Sequence, residues 1–200
     1  MKIFGILLIT SCFILPVFTQ ESGENILKTV QEKYNTISDV SADFTQVISG
    51  GKSAKGKFFF KKEQKLRIEF NNLTIITDGQ TTWNFNKREN KVIISSYDDS
   101  DPFALSLNKL IYDYPENSIV KDISKPDQKI LSLTPKSATS NFKNISIWID
   151  KNNLITRVIF EDLTSNKTDV TISGYKLNSN LTDSKFSFTA PEGSTVIDLR

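Results

Sequence analysis

Residues 56–97 read GKFFFKKEQKLRIEFNNLTIITDGQTTWNFNKRENKVIISSY, and this stretch decides the fold. It holds five short apolar runs, which are separated by turn residues such as Asn71-Asn72 and Asp78-Gly79. Runs of this length between Asn, Asp and Gly clusters predict antiparallel strands joined as hairpins. The runs are apolar at successive positions, as in Ile75-Ile76, whereas a half-solvated strand alternates. One face therefore belongs to the core, and the other needs a cover or an apolar guest.

The pattern outside this stretch predicts two helices and several more strands. A stripe of apolar residues favours a helix over Glu24–Ile37, and Asp101-Pro102 is typical of the start of a second helix that ends near Tyr112. Residues 113–129 are polar and predict a loop with a weak strand at Ser118–Ile123. Other strands are predicted at Val40–Ser49, Lys129–Thr134, Asn144–Ile149, Leu154–Glu161, Thr168–Leu177 and Val196–Leu199. About eleven strands with few helices predict an α+β domain built on a curved antiparallel sheet.

Residues 1–19 have the layout of a secretory signal peptide. Lys2 precedes an apolar run, and Val17 and Thr19 stand at the −3 and −1 positions of a cut before Gln20. We therefore expect export and a single mature domain over residues 20–200, soluble after cleavage. An alternative stays open, because Ile9-Thr10-Ser11-Cys12 resembles a bacterial lipobox in which Cys12 becomes a lipidated N-terminus. Mass spectrometry of the mature N-terminus separates the two.

Composition excludes several classes of function. The net charge is +2, and without Lys2 the mature part carries 24 basic and 23 acidic residues, so nothing predicts a nucleic-acid partner. The chain has no histidine and one cysteine, Cys12, which lies within the signal. Disulfides, thiol nucleophiles, His-based triads and His or Cys metal sites are thereby excluded. We expect no enzyme, cofactor or metal site.

The motifs reached so far resemble those of the periplasmic lipoprotein carrier family, LolA, over nearly the whole mature chain. The most specific is Asp78-Gly79-Gln80-Thr81-Thr82-Trp83. The others, in order, are the N-terminal helix followed by Ala42-Asp43-Phe44-Thr45-Gln46, then Gly56-Lys57-Phe58-Phe59-Phe60, Leu66-Arg67-Ile68-Glu69, Asp101-Pro102-Phe103, Leu133-Thr134-Pro135-Lys136 and the ending Phe186–Gly193.

This resemblance implies an unclosed antiparallel β-barrel with a helical lid over a hydrophobic cavity. It implies a monomeric carrier in the periplasm of a Gram-negative bacterium, with acylated lipoproteins as cargo. An inner-membrane ABC-type lipoprotein-releasing complex would load the carrier, and an outer-membrane lipoprotein acceptor would unload it. Two alternatives share the fold: an outer-membrane-anchored acceptor, which requires lipidated Cys12, and a periplasmic lipid-sensing regulator, which usually has a second domain.

The resemblance also assigns candidate site residues. Lid residues are Ile26, Val30, Lys62, Phe103, Leu105 and Leu107. Cavity residues are Phe58, Phe60, Leu66, Ile68, Phe70, Ile76, Trp83, Phe85 and Ile94. Which strand parity faces inward stays open, since a one-residue slip reverses it.

The sequence departs from the family pattern at Lys62-Glu63. Typical members carry Arg-Pro there, and the Arg helps to hold the lid. Lys keeps the charge but lacks the planar five-donor fork of Arg. Arg67 or Lys61 could take that role instead, and Lys62 could equally be a solvated turn residue.

Overall fold

The computed structural model describes residues 22–51, 53–98 and 107–200. In these ranges twelve strands form one sheet in the order β12-β6-β5-β4-β3-β2-β1-β11-β10-β9-β8-β7. The strands are β1 Asp39–Ile48, β2 Ser53–Lys61, β3 Lys65–Phe70, β4 Leu73–Thr77, β5 Thr81–Asn86, β6 Lys91–Ser96, β7 Ser118–Asp122, β8 Lys129–Pro135, β9 Phe142–Ile149, β10 Ile155–Asp162, β11 Lys167–Leu177 and β12 Thr195–Asp198. Neighbours are antiparallel except β12, which runs parallel to β6. Because β12 and β7 do not pair with each other, the predicted unclosed antiparallel sheet is confirmed.

One face of this sheet, here called the inner face, wraps around a single core. The register places Ala42, Phe58 and Ile68 in one cross-strand row on β1, β2 and β3. Across β1, the same face continues through Ile172 on β11. All four side chains belong to one buried cluster that also contains Ile26 of the N-terminal helix. The sheet must curve for both of its halves to reach that helix.

The N-terminal helix, α1, spans Gly23–Asn35, close to the predicted Glu24–Ile37. Ser22 caps it by accepting a hydrogen bond from the Asn25 N–H. Its start lies directly against β7, because a Cβ on Gly23 would stand 2.8 Å from the backbone nitrogen of Asp122. Gly23 therefore lets α1 approach the otherwise unpaired edge strand at main-chain distance.

The prediction of a loop from residue 113 is wrong in its first residues. Helix continues from Leu107 to Glu116, with a π-helical turn over Lys109–Asp113 before the turn Tyr114–Glu116. In the wider turn, the Tyr114 N–H donates to the carbonyl of Lys109. This spacing suits a helix that must pass Pro115, which has no N–H of its own to donate. The weak strand prediction at Ser118–Ile123 matches β7.

Several sequence predictions lie outside the described residues. These are the signal peptide over 1–19, with Cys12, and the first half of the second helix. The lid candidates Phe103 and Leu105 and the cap Asp101-Pro102 fall in that half. Nothing in the structure bears on them.

A second, smaller core lies on the outer face of β4–β6. Ile76 and Val92 are fully buried there, and Phe85 packs on Phe188 with ring centroids 5.3 Å apart. The cover is the C-terminal segment, which forms a short 3₁₀ turn over Asp183–Phe186 and completely buries Phe186. Ion pairs from Lys61 and Lys65 to Asp183, at 2.7 and 3.2 Å, fix the segment across β2 and β3.

Candidate binding site on the inner face

The inner face of the first half of the sheet carries apolar side chains that are only half-buried. Phe60, Phe70, Ile75 and Ile93 all have this intermediate exposure, and register places them on that face. The described helices lie elsewhere, since α1 and the 107–116 segment pack chiefly on β7 and β8. A curved apolar surface that the described helices leave partly uncovered is a candidate site for an apolar ligand.

The nine predicted cavity residues do not share one face. Phe58, Phe60, Leu66, Ile68 and Phe70 lie on the inner face. Ile76, Trp83, Phe85 and Ile94 lie on the outer face, where the C-terminal segment covers β4–β6. These four cannot line an inner cavity together with the first five. Their neighbours Ile75 and Ile93, which were not among the nine predicted residues, lie on the inner face instead.

Carrying the alternation from Phe58 through each hairpin would have identified Ile75 and Ile93. The pairs Phe58↔Ile68, Ile68↔Ile75, Ile75↔Asn84 and Asn84↔Ile93 form a continuous row. The adjacent apolar pairs at 75–76 and 93–94 conceal this alternation. Both members are apolar because the inner face carries half-buried apolar side chains and the C-terminal segment covers the outer face.

Aromatic rings line one end of the inner face. Phe44 and Phe70 meet edge to face with centroids 6.1 Å apart, above Gly56 on the strand between them. Across the sheet, Phe142 packs on both Phe160 and Tyr114 at 5.7 and 5.2 Å. Flat rings give this end of the interior large apolar area without long flexible side chains.

Three of the predicted lid residues are buried in the main core. Ile26 and Val30 project from α1 and are 1% and 2% exposed, and Leu107 is 5% exposed. Leu110 and Ile111, which had been assigned only to the helix, join the same cluster. These residues hold the described helices to the sheet.

Lys62 contacts the C-terminal end of α1. Its Nζ donates to the main-chain oxygen of Asn35 at 3.1 Å. The Asn35 side-chain oxygen accepts from the Tyr112 hydroxyl at 2.6 Å. Higher in the helix, Gln31 Nε2 donates to the carbonyl of Ile111 at 3.0 Å. Two hydrogen bonds therefore connect the 107–116 segment to α1. A third, from Lys62, connects α1 to the turn between β2 and β3. Arg67 and Lys61 instead contact the C-terminal segment.

Two tyrosines join α1 to the sheet where the β10–β11 ladder has ended. The last described pair is Arg157↔Thr171, so Ile155 lies beyond it. The Ile155 N–H donates to the Tyr34 hydroxyl at 3.3 Å, and the Tyr175 hydroxyl donates to the Ile155 carbonyl at 2.5 Å. The two hydroxyls are 3.4 Å apart. Burial raises the pKa of both Tyr34 and Tyr175 above the usual range, so both stay neutral.

An open groove of about 360 Å³ follows the seam between α1 and the 107–116 segment. Glu24, Glu116 and Lys136 line it beside Leu27 and Val120. This mixed lining differs from the apolar inner face. The inner face, rather than the groove, matches an apolar ligand.

Together these features define an open half-barrel, a class of β-sheet protein built on one curved, unclosed sheet. A family model for the outer membrane lipoprotein carrier protein LolA matches residues 35–189. The chain belongs to this family.

Curated relatives extend the match over almost the whole chain. The outer-membrane lipoprotein carrier protein of Sodalis glossinidius is 25% identical over 207 residues, covering 96% of this chain and 98% of its own length. The protein of the same name from Neisseria gonorrhoeae is 26% identical, covering 98% and 97%.

A solved structure shares the fold. An uncharacterised conserved protein from Thermus thermophilus superposes with a TM-score of 0.58 at 16% identity, over 88% of this chain and 98% of its own. Over the described residues, no helix has both the length and the apolar character that a membrane crossing needs.

Proposed function

We propose that this protein binds the acyl chains of lipoproteins in its half-barrel and carries them through the periplasm. An inner-membrane ABC-type releasing complex would supply the cargo, and an outer-membrane acceptor would take it. The half-buried apolar inner face of β2–β6 carries the proposal, because it gives acyl chains a surface inside a folded protein. Family membership supports the same assignment. The proposal assigns no catalytic step.

Binding is driven by removal of apolar area from water, at about 0.8 kcal/mol per methylene. One long acyl chain therefore offers a large gross free energy. A carrier must also release its cargo, so part of this energy must be offset. The hydrogen bonds that tie the 107–116 segment to α1 provide such an offset if cargo entry breaks them.

The adjacent residues Ile93 and Ile94 provide a matched test. Both are half-buried on β6, but Ile93 pairs with Asn84 on the inner face and Ile94 with Trp83 on the outer face. We expect Ile93→Asp to weaken binding of a diacylated lipopeptide by at least about tenfold, because a carboxylate resists transfer to an apolar site. Ile94→Asp should leave the dissociation constant within about twofold, because it lies outside the ligand space.

The measurement is fluorescence titration of each purified variant with labelled diacyl lipopeptide, after thermal melts establish that both variants fold. Equal loss in the two variants, or no lipopeptide binding by the unmodified protein, contradicts the proposal. A second test uses the variant Phe60→Glu in a transport assay. It should abolish release of lipoprotein from inner-membrane vesicles.

A further inference from the structure

The two ends of the sheet differ in character. At one end, here called the docking end, lie the turns that follow β1, β3, β5, β8 and β10. Three large apolar side chains are exposed there: Val47 at 42%, Ile48 at 50% and Leu163 at 63%. None of the three belongs to the core cluster. Exposed apolar side chains on neighbouring elements mark a candidate contact surface.

The turns after β1 and β10 lie side by side, which brings Ile48 and Leu163 to neighbouring positions, here called the patch. The Ser49 N–H donates to the carbonyl of Lys167 at 2.9 Å, and the Lys167 N–H donates to the Ser49 hydroxyl at 2.9 Å. Ile48 is the residue before Ser49, and Leu163 lies in the turn that leads to Lys167. Adjacent strands stand about 5 Å apart, so the patch is compact.

The charge around this patch is positive. The exposed ammonium groups of Lys143 and Lys167 both approach one carboxylate, Glu161, at 3.5 and 3.6 Å. Two other carboxylates lie nearby. Asp162 accepts hydrogen bonds from the backbone of its own turn, including the N–H groups of Thr164 and Asn166, and Asp169 is paired with Arg157. Lys55 is exposed on the neighbouring strand β2.

The net charge of the other turns at the docking end is also positive. Their described residues include Lys87, Arg88 and Lys136, against a single carboxylate, Glu89. At the opposite end the turns after β2, β4, β7, β9 and β11 have four acidic residues and three basic ones. Those acidic residues are Glu63, Asp78, Asp127 and Asp150. The exposed apolar patch thus lies at the basic end.

We infer that the docking end binds the surface of an anionic lipid bilayer. Apolar side chains at this end of the sheet, Ile48 at a strand end and Leu163 in a turn, enter the interface between head groups and acyl chains, while lysines beside them attract anionic head groups. The inner-face rings Phe44, Phe70, Phe142 and Phe160 lie at this same end, so a bilayer bound there lies next to the aromatic end of the inner face. This inference stands independently of lipoprotein cargo.

The test is co-sedimentation of the purified protein with lipid-only vesicles. One set contains phosphatidylglycerol with phosphatidylethanolamine, and the other contains phosphatidylcholine alone. We expect binding to the anionic set and a steep decrease as salt is raised to about 0.5 M, where the screening length is a few ångströms. The double variant Ile48→Asp, Leu163→Asp should reduce the bound fraction about tenfold, because two inserted apolar groups are lost.

Two substitutions elsewhere serve as matched controls. Ile123 and Leu199 are exposed by 45% and 66%, and lie beyond β7 and β12. Ile123→Asp and Leu199→Asp should bind vesicles as the unmodified protein does. All four positions are exposed, so thermal melts should agree among the variants.

The inference is overturned if the unmodified protein does not sediment with anionic lipid-only vesicles, or if the controls lose as much binding as the double variant. Binding only to vesicles that contain envelope proteins would also overturn it and indicate a protein partner. Loss of lipopeptide binding with intact vesicle binding would remove the proposed function instead, so the two failures are distinguishable.

Discussion

Lys62 donates a hydrogen bond to the main-chain oxygen of Asn35, the last residue of α1, over 3.1 Å. The last carbonyls of a helix have no partner within it, and a cation there also interacts favourably with the helix dipole. Lys62 therefore keeps a contact between the β2–β3 turn and α1, although it is not the Arg that the family resemblance implies. Asn35 transmits this contact to the 107–116 segment through Tyr112.

The bond between Tyr112 and Asn35 should control local opening of the 107–116 segment. Tyr112→Phe removes a bond with a net stabilisation of about 1 kcal/mol, so we expect roughly fivefold faster amide exchange in that segment. Hydrogen–deuterium exchange measured by mass spectrometry gives the rates. Tyr114→Phe, in which the ring contact with Phe142 is kept, is the control and should exchange as the unmodified protein does.

Stability should fall at alkaline pH because of Tyr34 and Tyr175. Their folded-state pKa values are raised, mainly by burial, whereas in the unfolded chain both titrate near pH 10. The unfolded state therefore loses protons first, and the free energy of unfolding declines once the pH exceeds about 10. Below that pH this contribution is fully present.

Tyr175→Phe should reduce the steepness of that decline in urea unfolding at a series of pH values. Lysine titration is common to both proteins and cancels in the comparison. At neutral pH the variant should be less stable by about 1–3 kcal/mol, because the Ile155 carbonyl loses its buried donor. Identical slopes for variant and unmodified protein would show that Tyr175 already ionises in the folded state.

Gly56 should tolerate no larger side chain. A Cβ there would stand 2.4 Å from the Glu69 carbonyl and 2.7 Å from the ring of Phe44, so Gly56→Ala should destabilise the protein by about 3 kcal/mol. Gly50→Ala provides the contrast, because its Cβ would meet nothing within 4 Å and only its positive φ opposes the change, at about 1 kcal/mol. Thermal melts of the two variants give the comparison, and equal melting temperatures would refute the packing argument.

A glycine in the β2–β3 turn should relieve backbone strain and stabilise the protein. Glu63 and Gln64 both have positive φ, at 70° and 61°, a conformation that costs non-glycine residues about 1–2 kcal/mol. Gln64→Gly should therefore raise the free energy of unfolding by about 0.5–1 kcal/mol, after the greater entropy of glycine in the unfolded chain is allowed for. Denaturant titration measures this change.

Proline at position 63 is the opposite control. Its ring holds φ near −65°, so Glu63→Pro cannot adopt the present turn and should lower stability. The family resemblance implies Pro at this position. The departure at Lys62-Glu63 is therefore conformational as well as electrostatic. Unchanged stability of Glu63→Pro would show that the turn can switch to the other conformation.

The strand and hairpin plan could be predicted from the sequence because turn residues such as Asn71-Asn72 and Asp78-Gly79 mark each reversal. Face assignment could not be completed in the same way. Ile75-Ile76 and Ile93-Ile94 are apolar on both faces, so hydrophobicity alone does not select the inner member. The missing information is long-range, since Phe186 and Phe188 lie about a hundred residues beyond the strands that they cover.

The end of the second helix depends on a backbone adjustment that residue patterns do not encode. Pro115 and a polar sequence after Tyr112 predict a loop, yet the π-helical turn carries the helix past them. The contact between Tyr34 and Tyr175 could not be predicted from the sequence either. Tyr34 belonged to the predicted helical stripe and Tyr175 to a predicted strand, and only the end of the β10–β11 ladder gives their hydroxyls a shared partner at Ile155.

The covered outer face has a mechanical consequence. Between β3 and β6 side chains pack on both faces of the sheet, from the main core on the inner face and from the C-terminal segment on the outer face. We therefore expect this half of the sheet to resist bending. Next to β11, a tyrosine pair replaces ladder bonds at Ile155, and that seam is the compliant element. We therefore expect the width of the half-barrel to change by rotation near Ile155, with the β3–β6 wall as the more rigid side.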